Sequence, residues 1–307
     1  MSAKFQCVNH HRTMLQFQAT APLLADPLSS ALLTRILAKL EIDHPASSWE
    51  GLTATYAAWC QQVPFDNVRK LIHVKSGDTG PLPGGTAEDF FTAWLQHGTG
   101  GTCWSGSNAL HAFLSALGFP VERGIATMMA APVLPPNHGT VMIVNDGKRY
   151  LLDASMLHGE PLLLDEHQTT QIDHAAWGLT CSQRDGKLHV HWRPMHKVDG
   201  FDCRLEWTGS SGPDHRAFYA RTHDWSPFNY ELNVRLNCGD DVEGMAFGKW
   251  LTLYRDGSVS SDVIALEERN QRLIEEIGLS EEIVAQIPPD SPTPPPPGSR
   301  TAAALEP

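Results

Sequence analysis

Apolar positions follow a helical rhythm in the first third of the chain and a two-residue rhythm after it. In ALLTRILAKLEI (31–42), Leu32, Ile36 and Leu40 fall four residues apart, one face of an amphipathic helix, with Ser29 or Ser30 as its cap after Pro27. A second helix is predicted over 48–62, ended by Pro64, and a third over 87–97, beyond the GDTGPLPGG loop of 77–85. In GTGGTCWSGSNALHAFLSALGFPVERG (98–124), Leu110, Phe113, Leu114 and Leu117 form the next helical stripe and Gly118 takes the position after its end. Cys103 therefore stands at or just before a helix N-terminus.

From Pro120 the period shortens towards two, and strands are predicted near 121–128, 140–144, 150–153, 189–192 and 203–207. A helix over 213–222, strands over 230–236 and 245–253, and helices over 261–277 and 280–287 follow. Residues 1–28 show no sustained period and read as an irregular extension. PPDSPTPPPPGSRTAAALEP (288–307) has too few apolar side chains to build a core and reads as a disordered or polyproline tail, its AAALE resembling a vector-derived scar.

With 307 residues and 41% hydrophobic content the chain can bury a large core. A formal net charge of −12 offers no field for nucleic acid or anionic lipid. Six cysteines, at 7, 60, 103, 181, 203 and 238, include no CxxC pair, which fits a reducing compartment. No run reaches the roughly 18 apolar residues of a membrane span, and the N-terminus lacks a signal-peptide core, so a soluble, cytoplasmic protein without a membrane partner is expected.

Candidate chemistry centres on Cys103. Gly100 and Gly101 allow close backbone packing in front of it, and a helix N-terminus offers positive partial charge and free N–H groups to a developing anion. A thiolate nucleophile also needs an imidazole to take its proton and a carboxylate to orient that imidazole. In NHGTVMIVNDGKRYLLDASM (137–156), a hairpin turning at Asp146-Gly147 opposes Asn145 to Lys148 and Thr140 to Asp153. His138 is then diagonal to Asp153 on the same face, at about 7 Å, whereas a one-residue slip would put the two on opposite faces. Trp104 and Phe228 are candidate walls of an aromatic acceptor pocket; Trp104 can equally be core packing, and an aromatic at the place of Phe228 is more often simple packing. Cys7, His10 and His11, and the pair His189 and His191, have metal-ligand types but lack a matching second cluster, so no metal site is expected.

VPFDNV (63–68), TGGTC (99–103), LSALGFPVE, NHGTVMIVNDGKRYLLD and SPFNYELNVR (226–235) together resemble the arylamine N-acetyltransferases, whose motifs read PFEN, RGGxC and H…D. The resemblance covers about residues 31–287 and implies an α+β fold: a helical first domain (29–119) bearing Cys103, a β-barrel second domain (120–210) bearing His138 and Asp153, and an α/β lid (211–287), with a papain-like Cys-His-Asp core. It further implies a ping-pong acyl transfer from an acyl-CoA to a small-molecule amine, with Cys103 as nucleophile, His138 as base, Asp153 as orienting carboxylate, and no bound cofactor. Four positions depart from the pattern: Thr99 replaces the motif arginine, Asp66 its glutamate, Trp104-Ser105 its Phe-Glu, and Ala154-Ser155-Met156 its glycines. Asp66 is accordingly expected to bond to Arg69 or a backbone N–H, and Met156 to border a donor pocket for acyl groups larger than acetyl. The departures also admit an amide synthase fed by an acyl carrier protein, while GTCW followed by His and Asp resembles the transglutaminase core as well. A catalytically silent binding protein is disfavoured, because folding alone does not require the three residues to converge.

Overall fold

The computed structural model describes residues 27–129 and 135–297. Helix α1 (Ser30–Lys39) begins where the Ser29 hydroxyl accepts the Leu32 N–H, and α2 (Trp49–Gln62) where Ser48 accepts that of Gly51. Past Pro64 come a two-residue strand, β1 (Phe65–Asp66), and α3 (Val68–Lys75), a helix that the apolar pattern did not predict. Its buried Val68 and Leu71 are too few to display a period, and they pack against elements far downstream. Helix α4 (Ala87–His97) is capped by Thr86 and closed by Gly98 at φ +74°, and α5 (Cys103–Ala116) starts at the cysteine itself. Trp59, Phe90, Phe91, Trp94 and Phe113 are fully buried in the core of this helical layer.

Eight strands follow: β2 (Val121–Met128), β3 (His138–Asn145), β4 (Lys148–Leu152), β5 (Leu162–Leu164), β6 (Thr170–Ile172), β7 (Leu179–Arg184), β8 (Lys187–Trp192) and β9 (Phe201–Thr208). They form one sheet in the order β5-β4-β3-β2-β9-β8-β7-β6, and its edges, β5 and β6, pack together to give a nearly closed barrel. Met142, Leu151, Met156, Leu162, Cys181 and Val190 belong to the barrel core, while Val141, Ile143 and Leu152 pack on the helices. The sequence reading missed β5, β6 and β7, since two of them are only three residues long and the third is largely polar.

The last part comprises α6 (Gly212–Arg221), strands β10 (Val234–Cys238), β11 (Asp241–Ala246), β12 (Lys249–Leu253) and β13 (Val259–Asp262), and helices α7 (Leu266–Glu275) and α8 (Glu281–Val284). A second sheet runs β1-β10-β11-β12-β13. The single strand expected over 245–253 is a hairpin turning at Phe247 and Gly248, both at positive φ, a turn lacking the usual Asn-Gly signal. The helix expected from 261 begins at Leu266, because residues 259–262 pair as β13. Residues 288–297, read from sequence as a disordered or polyproline tail, lie along the lid without helix or strand. Asp290 Oδ1 accepts the Leu232 N–H at 2.8 Å, Ser291 N–H donates to Tyr230 O at 2.9 Å, and the Trp225 indole donates to Pro294 O at 3.3 Å. The proline-rich segment needs no core of its own because the lid supplies one side of it. Among the described residues, no helix is long and apolar enough to cross a membrane.

Strand β1 ties these parts together. Phe65 and Asp66 pair with Arg235 and Val234 on one side, and Phe65 forms a parallel bridge to Gly101 on the other. Asn67 donates to the carbonyls of Phe228 and Glu231 and accepts the Asn233 N–H. Asp66, 1% exposed, accepts the Val68 N–H at 2.9 Å and the Gly100 N–H at 2.5 Å, the backbone partnership expected of it. Asp66→Asn keeps the volume but turns an N–H₂ towards one of these donors, and should cost about 1–3 kcal/mol, or roughly 2–4 °C of Tm per kcal/mol. Burial pushes the Asp66 carboxyl up to about 6, against the pull of its two N–H donors and of Arg69. The folded state therefore binds this proton more tightly than the unfolded one. Thermal melts should show the wild type gaining stability relative to Asp66→Asn as pH falls from 7 towards 4.

Candidate active site

Cys103 is the first residue of α5, and the loop before it is shaped by contact rather than by a side-chain cap. A Cβ on Gly100 would lie 1.7 Å from the Pro64 carbonyl oxygen, so only glycine fits there. Asp66 holds the Gly100 N–H, and its own N–H donates to Gly101 O at 3.2 Å. The Cys103 thiol, 6% exposed, points towards Asn137 O at 3.8 Å, beside the start of β3. The first-turn N–H groups of a helix lack an intrahelical acceptor, and Cys103 stands at that end of α5.

The hairpin forms in the predicted register: Asn145 faces Lys148, and the ladder runs to Val141 opposite Leu152. His138 and Asp153, 1% and 0% exposed, consequently meet on one face, with His138 Nε2 2.7 Å from Asp153 Oδ2. The other carboxylate oxygen accepts the N–H groups of Ser155 and Met156. Tyr56, from α2, donates its hydroxyl proton to Asp153 O and accepts the Asp153 N–H, both at 2.9 Å, and His158 Nε2 lies 3.2 Å from the same N–H. Burial alone would lower the His138 imidazole, but the charge and hydrogen bond of Asp153, with the Cys103 sulfur as a further acceptor, raise it well above the ordinary histidine range. For Asp153 burial works upward and is outweighed by His138 and the two backbone donors, which hold the carboxyl low. With Nε2 committed to Asp153, Nδ1 is the nitrogen left for the thiol. His158 belongs to the support, since burial lowers it to about 4 and keeps it neutral.

Cys103 opens on a cavity of about 590 Å³ between the helices, the barrel and the lid. Trp104 and Phe228 both line it, and both are also packed: Trp104 stacks on Phe218 at 5.2 Å and meets His215 edge-on at 4.9 Å, while Phe228 packs edge-on against Phe65 at 5.3 Å. Met156 does not border the cavity. Its N–H caps Asp153 Oδ1 and its side chain is buried in the barrel core, so Ser155 is the residue of this turn that faces the cavity. Three features of the wall were missed from sequence: Lys70, Arg235 and the tail residues Pro294–Pro296. Lys70, 3% exposed, donates to the Thr222 hydroxyl at 2.9 Å, and burial lowers its ammonium to about 7 against the attraction of Cys103. A charged residue inside the apolar run around Arg235 was the one available signal; Lys70 lay in a helix too short to read. His191 pairs with Asp202 at 3.0 Å on the barrel surface, no described group of three His, Cys, Asp or Glu residues is placed to hold a metal, and Cys7, His10 and His11 lie outside the described residues.

The sequence profile of the N-acetyltransferase family matches residues 48–283. Among solved structures, the arylamine N-acetyltransferase of Mycobacterium marinum superposes with a TM-score of 0.69 at 17% identity, covering 83% of this chain and 98% of that one. The same enzyme in complex with CoA gives 0.71 at 16% identity over 83% and 98%. The Salmonella typhimurium enzyme gives 0.69 at 15% identity over 85% and 98%. No curated protein matches the chain. The match over most of the sequence, carried on the same fold, shows that this chain belongs to the arylamine N-acetyltransferase family.

Proposed function

We propose that the protein transfers an acyl group from a CoA thioester to a small amine through an acyl-enzyme on Cys103. The observation that carries this reading is the buried His138–Asp153 pair, hydrogen-bonded at 2.7 Å, with the Cys103 thiol at the imidazole and the apolar cavity beyond it. With its imidazole raised well above the ordinary histidine range, His138 already holds the proton drawn from the Cys103 sulfur, which attacks the thioester carbon. The first-turn N–H groups of α5 receive the negative charge on the carbonyl oxygen, and the CoA sulfur leaves with the proton from His138. A neutral amine then attacks the Cys103 acyl carbon, its proton passes to His138, and the sulfur departs as the amide is released, restoring the resting pair. Asp153 fixes the ring and stabilises the imidazolium that forms at each stage. A CoA donor is supported by the M. marinum structure with CoA bound, and the aromatic walls at Trp104 and Phe228 suit a flat, apolar amine. The cavity also has room for acyl groups beyond acetyl.

Intact-protein mass spectrometry after incubation with a panel of acyl-CoAs should show one acyl group added and mapped to Cys103. Sub-stoichiometric iodoacetamide should label the same residue ahead of the other buried cysteines, and Cys103→Ala should lose turnover by roughly three orders of magnitude or more. Adducts at Cys60, Cys181, Cys203 or Cys238 would reject the assignment. A Cys103 that alkylates but takes no acyl group from any CoA ester would move the donor to an acyl carrier protein.

Asp153→Asn should lower kcat/KM by about 10²–10⁴ and destabilise the fold, since it leaves a buried imidazole without its counter-charge. His138, raised in the fold, contributes stability below its unfolded value near 6.5 that fades as pH rises through its folded value. Asp153, lowered in the fold, contributes stability above about 3.8 that fades as pH falls. The Tm gap between wild type and Asp153→Asn should therefore be widest between about pH 4 and 6.5 and narrow in alkali; a gap independent of pH would mean that the pair is not charged.

A further inference from the structure

Four formally charged side chains face the cavity, and three of them are accounted for. Lys70 donates to the Thr222 hydroxyl, Glu231 accepts from the Thr293 N–H and hydroxyl, and Arg221 is solvent-exposed with its guanidinium 5.0 Å from the Phe218 ring centre. Arg235 differs. It is 4% exposed, its Nε has no acceptor, its Nη1 reaches only the Arg193 carbonyl at 3.4 Å, and its flat face lies 5.6 Å from the Trp192 ring centre. No carboxylate pairs with it among the described residues, and the acid whose field it feels, Asp153, is already bonded to His138. A buried guanidinium stays protonated, is costly without a counter-ion, and presents a planar fork that matches a carboxylate.

The strand pairing places this cation near the chemistry. Arg235 opposes Phe65 on β1, and Phe65 bridges to Gly101, two residues before Cys103. Two inter-strand steps amount to about 10 Å of backbone separation. An anion on Arg235 is thus one small molecule's length from the sulfur, whereas the pyrophosphate of CoA is held off from its thioester by the whole pantetheine arm. The charge that Arg235 awaits belongs to the reacting piece itself.

We propose that Arg235 is a specificity-determining residue that seats a carboxylate of the substrate, so that the enzyme selects an acid-bearing acyl group or an acid-bearing amine over its neutral counterpart. The inference rests on acyl transfer through Cys103 and narrows its substrate class. Ping-pong chemistry separates the two sources. Acylation of Cys103 by succinyl-CoA against butyryl-CoA reads a carboxylate on the acyl group, and transfer from the acyl-enzyme to 4-aminobenzoate against 4-methylaniline reads one on the amine.

In one of the two half-reactions, Arg235→Met should reduce the acid-to-neutral rate ratio tenfold or more relative to wild type, and Arg235→Lys should recover part of it. Benzoate or succinate should raise the Tm of the wild type more than benzamide or succinamide does, and should not raise that of Arg235→Met. Unchanged ratios in both half-reactions would overturn the proposal, as would a variant that loses only stability. Should Arg235→Met fail to fold, equal stabilisation of the wild type by the acids and the amides would overturn it too. If Cys103 takes no acyl group, the acyl-transfer reading fails on its own, and the Tm comparison still decides whether Arg235 binds a carboxylate.

Discussion

The structure depends on the close passage of the chain between Pro64 and Asn67 past the glycines before Cys103. At this point a buried carboxylate, a two-residue strand and a side-chain amide join three regions far apart in sequence. Asp66 bonds to the start of α3 and to Gly100, Phe65 bridges β10 to Gly101, and Asn67 secures the turn at Phe228–Asn233. The family resemblance pairs a glutamate here with an arginine at the position of Thr99, and this chain keeps the connection without that ion pair. A shorter carboxylate reaches backbone N–H groups directly, which offsets part of the cost of its burial as long as glycine lets the loop come close.

A second carboxylate organises the site. Asp153 is fixed on every side: its backbone by Tyr56 and His158, one oxygen by the turn that follows it, the other by His138. The turn explains how the chain dispenses with the glycines of the related motif. Ser155 and Met156 use their N–H groups, which any residue but proline has, while the Met156 side chain fills the barrel and Ala154 packs against Gly106 of α5. Glycine is thus not needed to build the carboxylate's cradle, and replacing it changes the cavity wall at Ser155 alone.

The cavity owes its shape to parts that do not follow one another in the chain. Helix α5 gives the sulfur and Trp104, the lid gives Phe228 and Arg235, and the docked segment 288–297 closes one side with prolines, whose missing N–H groups leave no donor to satisfy against an apolar wall. Among its few charges Arg235 stands apart, buried with no carboxylate counter-ion among the described residues.

Helices with two or more turns of apolar repeat, such as α1, α2, α4 and α5, were legible in the sequence because the period of 3.6 is a local property of the chain. The β3–β4 register was legible for a similar reason. A two-residue Asp-Gly turn fixes which residues oppose one another, and the alternation of faces then puts His138 with Asp153. Elements stabilised from outside themselves were not legible: α3 and the strands β5 and β6 are too short to carry a pattern, and the proline-rich segment 288–297 takes its contacts from the lid. The cavity-facing roles of Lys70, Ser155 and Arg235, and the turning of Met156 into the barrel, were decided by tertiary packing alone. The direction of a side chain on a short element depends on what packs against it, and those partners come from the other end of the chain.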